Sequence, residues 1–208
     1  QGVKLSDPTR IDIRGIVSVG KDVSIDINCI LEGKVELGDG VQIGANCVIK
    51  NSRIAAGTII QPMCLIDDSE IGSNNDIGPF ARIRPQTKTL ENAKIGNFVE
   101  VKKSIIGKGS KVNHLTYIGD TEMGARVNVG AGTITCNYDG AYKHQTIIED
   151  NVFIGSGTQL VAPVRVTENS TIGAGSAITK DTPAGKLTFS RAKQVSISGW
   201  TRPSKKQS

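Results

Sequence analysis

The residue that first suggests chemistry is His114, one of only two histidines in the chain. It lies within residues 112–120, Val-Asn-His-Leu-Thr-Tyr-Ile-Gly-Asp. A neutral imidazole accepts a proton near pH 7, so His114 is a candidate general base. It follows two positions after Val112, which we expect to point inward, and this spacing predicts an outward or corner position. A lone histidine is more often structural or merely exposed, so the assignment depends on its neighbours.

Charged and polar residues recur near His114 at regular spacing. The interval from Arg84 to Lys102 is nearly the same as the interval from Glu100 to Tyr117. If one coil of a repeat takes about 17–18 residues, these side chains stack on adjacent coils along one side. Arginine and lysine bind phosphate through charge-assisted bonds, and tyrosine binds hydroxyls, which indicates a phosphorylated polar substrate. The alternative, a solvated basic face, stays open on spacing alone.

The element that must position these residues is a six-residue repeat. A six-residue unit provides one short strand and a corner, and three units close one coil, so stacked coils share a continuous aliphatic core. Small or β-branched residues often occupy the fourth position after the inward one. The pattern predicts an all-β parallel β-helix of hexapeptide repeats. The expected inward residues are Val19, Ile25, Leu31, Leu37, Ile43, Ile49, Ile54, Ile60, Ile66, Ile71, Ile77, Ile83, Ile95, Val101, Ile106, Val112, Ile118, Met123, Val129, Thr135, Ile148, Ile154, Leu160, Val166, Ile172 and Ile178.

The repeat is interrupted in two places. Thr89 stands where an aliphatic residue is expected, and the spacing from Thr135 to Ile148 is about twice the usual one. The longer spacing predicts a protruding loop near residues 136–145. Breaks in a regular scaffold are frequent sites of function, so both interruptions are candidates.

After Ile178 the repeat stops, and turn residues follow. We therefore predict a β-helix domain over residues 1–180 and a basic C-terminal arm over residues 181–208. Trp200 suggests that part of the arm docks, whereas Lys205 and Lys206 belong to its basic end.

Composition limits the classes of function. The net charge of +5 suits an anionic ligand but is too small to require nucleic acid, and no apolar run approaches the roughly 18 residues of a membrane span. Aromatic residues make up only 4% of the chain, which predicts a thin aliphatic core. The sequence begins Gln-Gly-Val without an initiator Met, and we expect a fragment of a longer protein.

The four cysteines have no metal-site spacing. Cys29, Cys47 and Cys64 fall on inward small positions and are expected to fill the core, while Cys136 lies beside Asn137 at the mouth of the loop. Reduced thiols of this kind are typical of a cytoplasmic protein. No zinc site is expected.

The hexapeptides resemble those of the hexapeptide-repeat acyltransferases. The resemblance implies a left-handed parallel β-helix and a homotrimer with active sites between subunits. The handedness comes from the resemblance alone, because the general rule for parallel crossovers favours the right hand.

Longer motifs resemble one family more closely. They are residues 114–120, His-Leu-Thr-Tyr-Ile-Gly-Asp; residues 128–140, Asn-Val-Gly-Ala-Gly-Thr-Ile-Thr-Cys-Asn-Tyr-Asp-Gly; and residues 82–85, Arg-Ile-Arg-Pro. They are similar to the C-terminal acetyltransferase domain of the bacterial bifunctional N-acetylglucosamine-1-phosphate uridyltransferase/glucosamine-1-phosphate acetyltransferases. The resemblance covers essentially the whole chain. It implies acetyl transfer from acetyl-CoA to the amine of glucosamine 1-phosphate, on the route to UDP-N-acetylglucosamine.

The resemblance also implies roles for individual residues. His114 matches the general base. Arg84, Lys102, Tyr117, Asn128 and Glu100 match the sugar-phosphate site, with Glu100 expected to orient His114 or the sugar. The acetyl-CoA contacts match Ala131, Asn137, Tyr138, Ser156, Ala174 and Arg191. The acetyl transfer is expected to need no metal, because magnesium serves the N-terminal uridyltransferase domain, which is absent from this sequence.

Several alternatives remain at this point. Direct transfer is favoured over a covalent intermediate on Cys136, because a nucleophilic cysteine needs an adjacent base. A γ-type carbonic anhydrase needs three histidines for zinc, and only His114 and His144 are present. A non-catalytic β-helix scaffold does not explain the two interruptions. A hexapeptide acyltransferase with another amine or hydroxyl acceptor is the remaining alternative within the enzyme class.

Overall fold

The computed structural model describes residues 2–203 as a stack of parallel coils made of short strands. One 3-10 helix, Pro8–Arg10, precedes the second strand, and Asp7 caps it by accepting a hydrogen bond from the backbone N–H of Thr9. The first strands in chain order are β1 (Val3–Leu5), β2 (Ile11–Val19), β3 (Val23–Ile25), β4 (Cys29–Leu37), β5 (Gln42–Ile43), β6 (Val48–Lys50), β7 (Arg53–Ile54), β8 (Ile59–Ile60), β9 (Leu65–Asp67), β10 (Ser69–Ile71), β11 (Asp76–Ile77), β12 (Arg82–Ile83), β13 (Thr87–Thr89) and β14 (Lys94–Asn97).

The strands of the upper coils carry most of the candidate site. They are β15 (Glu100–Lys102), β16 (Ile105–Ile106), β17 (Lys111–His114), β18 (Tyr117–Gly119), β19 (Thr121–Met123), β20 (Asn128–Val129), β21 (Ile134–Cys136), β22 (Thr146–Ile148), β23 (Phe153–Ile154), β24 (Gln159–Val161), β25 (Val164–Val166), β26 (Thr171–Ile172), β27 (Ala177–Ile178) and β28 (Leu187–Thr188).

Three parallel ladders form the faces of the β-helix. The first face runs β1-β3-β5-β8-β11-β14-β17-β20-β23-β26-β28. The second face pairs β2, β4, β6, β9, β12, β15, β18, β21, β24 and β27 in that order. The third face stacks β7, β10, β13, β16, β19, β22 and β25. The long strands β2 and β4 continue from the second face onto the third and join the two.

The core is the column of inward residues that the repeat predicts. Every expected inward position from Ile25 to Ile178 is buried, and Val19 at the bottom is partly buried against the same cluster. Cys29, Cys47 and Cys64 are buried as well, so their prediction as core residues is confirmed. Burial raises the pKa of the Cys29 thiol to about 11, which keeps it protonated and inert. The all-β class with parallel hexapeptide coils is confirmed.

The long interruption is a loop, as the spacing predicts. Register partners on the first face are usually one regular coil apart, as for Lys111 and Asn128. The next partner of Asn128 is Phe153, so the chain makes a longer excursion before it returns to this face. The additional residues lie between β21 and β22, at positions 137–145.

The interruption at Thr89 has a different cause. Thr89 keeps the inward position, 2% exposed, in register with Ile71 below and Ile106 above. Its hydroxyl accepts hydrogen bonds from the backbone N–H of Gly72 and from the side-chain amide of Asn75. The deviation therefore creates a buried polar contact within the core, and Thr89 does not open a surface site.

The last described residues extend beyond the predicted domain boundary at 180. Strand β28 pairs with β26, which adds one more rung to the first face. Trp200 is 67% exposed, so it does not dock on its own chain, while Lys205 and Lys206 lie outside the described residues. Within residues 2–203, no helix is long and apolar enough to cross a membrane.

The polar core contact generates a stability prediction. Replacing Thr89 by Val restores the aliphatic repeat but leaves the Gly72 N–H and the Asn75 amide without their acceptor. Because an unpaired buried polar group costs about 1–3 kcal/mol, we expect Thr89→Val to lower the free energy of unfolding by that amount in urea. The control Thr89→Ser keeps the acceptor and should be milder. A Thr89→Val chain as stable as the unmodified protein would contradict the assignment.

Candidate active site

One corner of the β-helix, between the first and second faces, brings His114 together with four other residues. We call it the His114 corner, and its members in order are Asn97, His114, Ala131, Ser156 and Ala174. Backbone bonds join them in a column, because the residue after each member donates to the carbonyl of the member below. These bonds run from Leu115 to Asn97 (3.1 Å), Gly132 to His114 (3.4 Å), Gly157 to Ala131 (2.8 Å) and Gly175 to Ser156 (2.8 Å).

His114 ends strand β17, is exposed, and lies at the corner as its spacing predicts. Its Nδ1 lies 2.9 Å from Oδ1 of Asn97, its register partner on the coil below. An amide oxygen only accepts, so the proton of the neutral ring is on Nδ1, and Nε2 keeps a free lone pair. The corner therefore presents an oriented base. Sequence reasoning missed Asn97, although counting back one coil from His114 finds it.

The corner changes character at the level of His114. Above it, the residues after each member are Gly132, Gly157 and Gly175, all with positive φ, so no side chain projects there. At the level of His114 and in the three coils directly below it, the same position carries large apolar side chains that are 47–62% exposed. We call these the apolar row, and they are Met63, Phe80, Phe98 and Leu115. The rings of Phe80 and Phe98 stack with centroids 5.3 Å apart.

The second face carries the polar cluster. Glu100 is in register with Tyr117, as predicted, and its carboxylate lies 2.7 Å from the Arg84 guanidinium. In this chain Glu100 is bonded to Arg84, so the partner that orients His114 is Asn97. The Tyr117 ring covers Gly119, where any side chain would collide with it. Tyr117 thus lies flat across the face beside the corner.

A group of cations meets at the far end of the second face. Lys102 is 19% exposed, and the Lys143 ammonium beside it, burial and the Arg84 guanidinium lower its pKa, while Asp120 opposes this shift. Cations held this close favour an anion between them. Lys143 was missed by sequence reasoning, although it lies in the loop that the broken spacing indicated.

The loop is fixed at both ends. Asn137 is 7% exposed, donates to the Asp120 carboxylate through its amide, and accepts at its carbonyl from the N–H of His144 at 2.8 Å. Asp139 accepts from the N–H groups of Ala141 (2.8 Å) and Tyr142 (2.7 Å). It also lies 2.7 Å from Nε2 of His144. These bonds hold the Asp139 pKa well below its usual range, with the His144 bond as the largest cause.

The remaining expected residues fall in different places. Tyr138 is exposed on the loop. Arg191 donates to the carbonyl of Ala174 at 2.9 Å, which brings the arm to the top of the His114 corner. Asn128 lies on the first face, between Lys111 and Phe153, and not on the second face with the polar cluster.

Cys136 is half-buried at the end of β21, where its Sγ lies 3.9 Å from the Ile134 carbonyl. Burial raises the pKa of this thiol, which is the opposite of what a nucleophilic cysteine requires. Within residues 2–203, no three His, Cys, Asp or Glu side chains converge where a metal ion could bind.

Two family models match parts of the chain. The model described as GMPPB C-terminal domain matches residues 13–89, and bacterial transferase hexapeptide (six repeats) matches residues 145–180. The bifunctional protein GlmU of Nitrosospira multiformis is 64% identical over 206 residues, covering 99% of this chain and 45% of that protein. GlmU of Nitrosomonas eutropha is 62% identical over 205 residues, with the same coverage. The chain thus spans about half the length of these relatives.

A solved structure of an Arabidopsis UDP-N-acetylglucosamine acyltransferase is a looser match. It has a TM-score of 0.47 and 17% identity, over 86% of this chain and 71% of that one. This likeness is too distant to inform the chemistry of the site.

The bonds of Asp139 generate a prediction about the loop. Asp139→Ala removes the acceptor for the N–H groups of Ala141 and Tyr142 and for His144, so the closed form of the loop loses three bonds. We expect chymotrypsin to cut after Tyr138 or Tyr142 faster than in the unmodified chain, because cleavage follows the population of the open loop. Asp12→Ala, which alters an exposed pair with Arg14, is the matched control. Equal cleavage of both variants would contradict the role of Asp139.

The lowered pKa of Asp139 also determines how the stability of the closed loop depends on pH. Since the folded pKa of Asp139 is depressed, its contribution is fully present above the ordinary pKa of an aspartate. It is lost as the pH falls toward the depressed value. Protection from chymotrypsin should not change between pH 6 and 8 on account of Asp139.

Proposed function

We propose that this chain is the acetyltransferase part of a bifunctional protein such as GlmU, to whose sequences it is 62–64% identical over 99% of its own length and 45% of theirs. It transfers the acetyl group of acetyl-CoA to the amine of glucosamine 1-phosphate. The product, N-acetylglucosamine 1-phosphate, serves the synthesis of UDP-N-acetylglucosamine. The observation that carries the proposal is the hydrogen bond between Asn97 and His114. It orients His114 where the small residues of the His114 corner meet the polar second face.

The cation group at the end of the second face binds the sugar phosphate in this proposal. Arg84, Lys102 and Lys143 supply charge-assisted donors, and a phosphate placed between them removes the repulsion that depresses the pKa of Lys102. Glu100 holds Arg84 in place through their 2.7 Å ion pair. Tyr117 lies between this group and His114, where it can bond a sugar hydroxyl.

His114 performs the proton transfer. Its Nε2 takes a proton from the substrate ammonium, and the free amine attacks the thioester carbonyl carbon. The C–N bond forms, and the second proton of the attacking nitrogen passes to solvent. The C–S bond of the tetrahedral intermediate then breaks, and the imidazolium returns its proton to the departing thiolate. General-base catalysis of this kind contributes about 10²- to 10⁴-fold, and alignment of the two substrates adds to it. No metal is assigned to this step.

Acetyl-CoA lies along the His114 corner above the base. Ala131, Ser156 and Ala174 are small, and the glycines that follow them leave the backbone accessible to an extended pantetheine chain. Arg191 at the top of the column can pair with phosphates of the cofactor, and Tyr138, on the loop at the far end of the second face, stays a predicted cofactor contact. A pantetheine chain that runs down the column from Arg191 ends at His114, so the acetyl group at its end lies beside the base.

We assign the chain to a homotrimer whose sites are closed by neighbouring subunits. The exposed apolar row leads along the corner up to His114, and an apolar surface of this kind marks a protein contact. Asn128 stays a predicted sugar contact, and its place on the first face suits a site shared between subunits. Acetyl-CoA as the co-substrate and the reduced core thiols support a cytoplasmic reaction in this proposal.

A second acceptor is the competing function. Another hexapeptide acyltransferase keeps the same base and cofactor column but binds a different amine or hydroxyl at the second face. The three cations beside Tyr117 favour a phosphorylated acceptor. A panel of acceptors that includes glucosamine without phosphate separates the two functions.

The first experiment measures CoA release from acetyl-CoA with glucosamine 1-phosphate. We expect His114→Ala to lower kcat by about 10²- to 10⁴-fold because the general base is lost. Cys136→Ala should keep kcat within about threefold, since the thiol is protonated and no covalent step uses it. Undiminished release by His114→Ala would remove the base from its role, and inactivity of the unmodified chain with this acceptor would reject the function.

The hydrogen bond between Asn97 and His114 predicts a change in the pH profile. Asn97→Asp places a carboxylate 2.9 Å from Nδ1, which stabilises the charged imidazolium relative to the neutral base. The acidic limb of kcat/KM should move to higher pH by about one unit or more, whereas Asn97→Ala lowers kcat because the ring is no longer oriented. Lys94→Ala, exposed on the same strand, is the control. An unshifted limb in Asn97→Asp would show that this contact does not govern the base.

A further inference from the structure

A buried carboxylate, Asp120, lies between the phosphate-binding end of the second face and the loop. It occupies the corner between β18 and β19 with a φ of 48°, and it is 8% exposed. Burying a charged carboxylate is costly unless it is paired and hydrogen-bonded. The contacts that compensate for this cost show what Asp120 holds.

Asp120 contacts both halves of the site. Its carboxylate lies 3.9 Å from the Lys102 ammonium and 3.5 Å from that of Lys103, and it accepts a hydrogen bond from the Asn137 side chain. Its backbone N–H donates to the Lys102 carbonyl at 3.1 Å. Its carbonyl accepts from the N–H of Thr146 at 3.1 Å, so both ends of the loop are bonded to one residue.

An aspartate at an equivalent corner shows that the burial is particular to this site. Asp68 also has a positive φ, and its N–H donates to Lys50 as that of Asp120 does to Lys102. Asp68 is exposed, whereas the loop covers Asp120. The buried ion pairs are therefore not a requirement of the corner itself.

We propose that Asp120 is a positioning residue that couples the sugar-phosphate site to the cofactor loop. It restrains Lys102 against the repulsion of Lys143 and Arg84, and it fixes Asn137 at the start of the loop that contacts acetyl-CoA. This role rests on the proposed function. It adds a dependence between the two substrates, because a change at one carboxylate disturbs the binding of both.

Two variants separate the two contacts of Asp120, the one with the lysines and the one with Asn137. Asp120→Asn removes the negative charge but keeps an amide oxygen that can accept from Asn137, so only the ion pairs with the lysines are lost. We expect a rise of about tenfold in KM for glucosamine 1-phosphate, with KM for acetyl-CoA within about twofold. Asp120→Ala removes both the ion pairs with the lysines and the hydrogen bond with Asn137, and it should raise both KM values. A lower KM for the sugar phosphate in Asp120→Asn would show that the carboxylate only opposes the phosphate, and would overturn the proposal.

A double-variant comparison tests whether Asp120 acts through Lys102. If it does, Asp120→Asn combined with Lys102→Met raises KM for glucosamine 1-phosphate no further than Lys102→Met alone. Independent, multiplied effects would overturn the coupling. Asp68→Asn is the matched control and should leave both KM values unchanged. If the loss of any corner carboxylate had a general effect, this control would change them as well.

A readout without substrate keeps the test separate from the proposed function. Amide hydrogen exchange over residues 137–146 should be faster in Asp120→Ala than in the unmodified chain, and unchanged in Asp68→Asn. Unchanged exchange in Asp120→Ala would overturn the anchoring of the loop. If the unmodified chain fails to acetylate glucosamine 1-phosphate, the proposed function falls, while the exchange result still decides the anchor.

Discussion

The structure depends on the register of its backbone ladders. Each coil bonds to the coil below and the coil above at a nearly constant interval along the chain, so a side chain's neighbours on adjacent coils are set by counting. Inward positions stack into one core, and outward positions stack into columns. Asn97 meets His114, and Glu100 meets Tyr117, because no other register preserves the core. The His114 imidazole is therefore oriented by the scaffold itself.

The loop between β21 and β22 departs from this register and adds side-chain contacts that the regular coils do not make. The long step between Asn128 and Phe153 adds a loop, and the loop brings Lys143 beside Lys102. It also covers Asp120, which changes an ordinary corner aspartate into a buried, paired one. The regular coils leave the equivalent aspartate, Asp68, exposed. The loop therefore buries a carboxylate beside the cations of the second face.

The extent to which the sequence predicts this arrangement follows from the same counting. Period six identifies the core, the three buried cysteines, the stacking of Glu100 on Tyr117 and the existence of the loop. It does not identify Thr89 as a core residue, because the hydrogen bonds that stabilise it come from Gly72 and Asn75 on the coil below. Lys143 escapes because the path of a loop has no period. Trp200 suggests that part of the arm docks, and the parts that contact the β-helix are β28 and Arg191, whereas Trp200 is exposed.

In the proposed function, the register also explains how the site distinguishes a phosphorylated sugar from a free one. Arg84 and Lys102 occupy consecutive rungs of one column, so the backbone prevents them from separating to relieve their repulsion, and Lys143 increases it. The depressed pKa of Lys102 expresses that repulsion. A phosphate removes it, whereas a neutral hydroxyl does not. Discrimination thus arises from cations held in place before the substrate arrives, and binding the right substrate costs little further ordering of the protein.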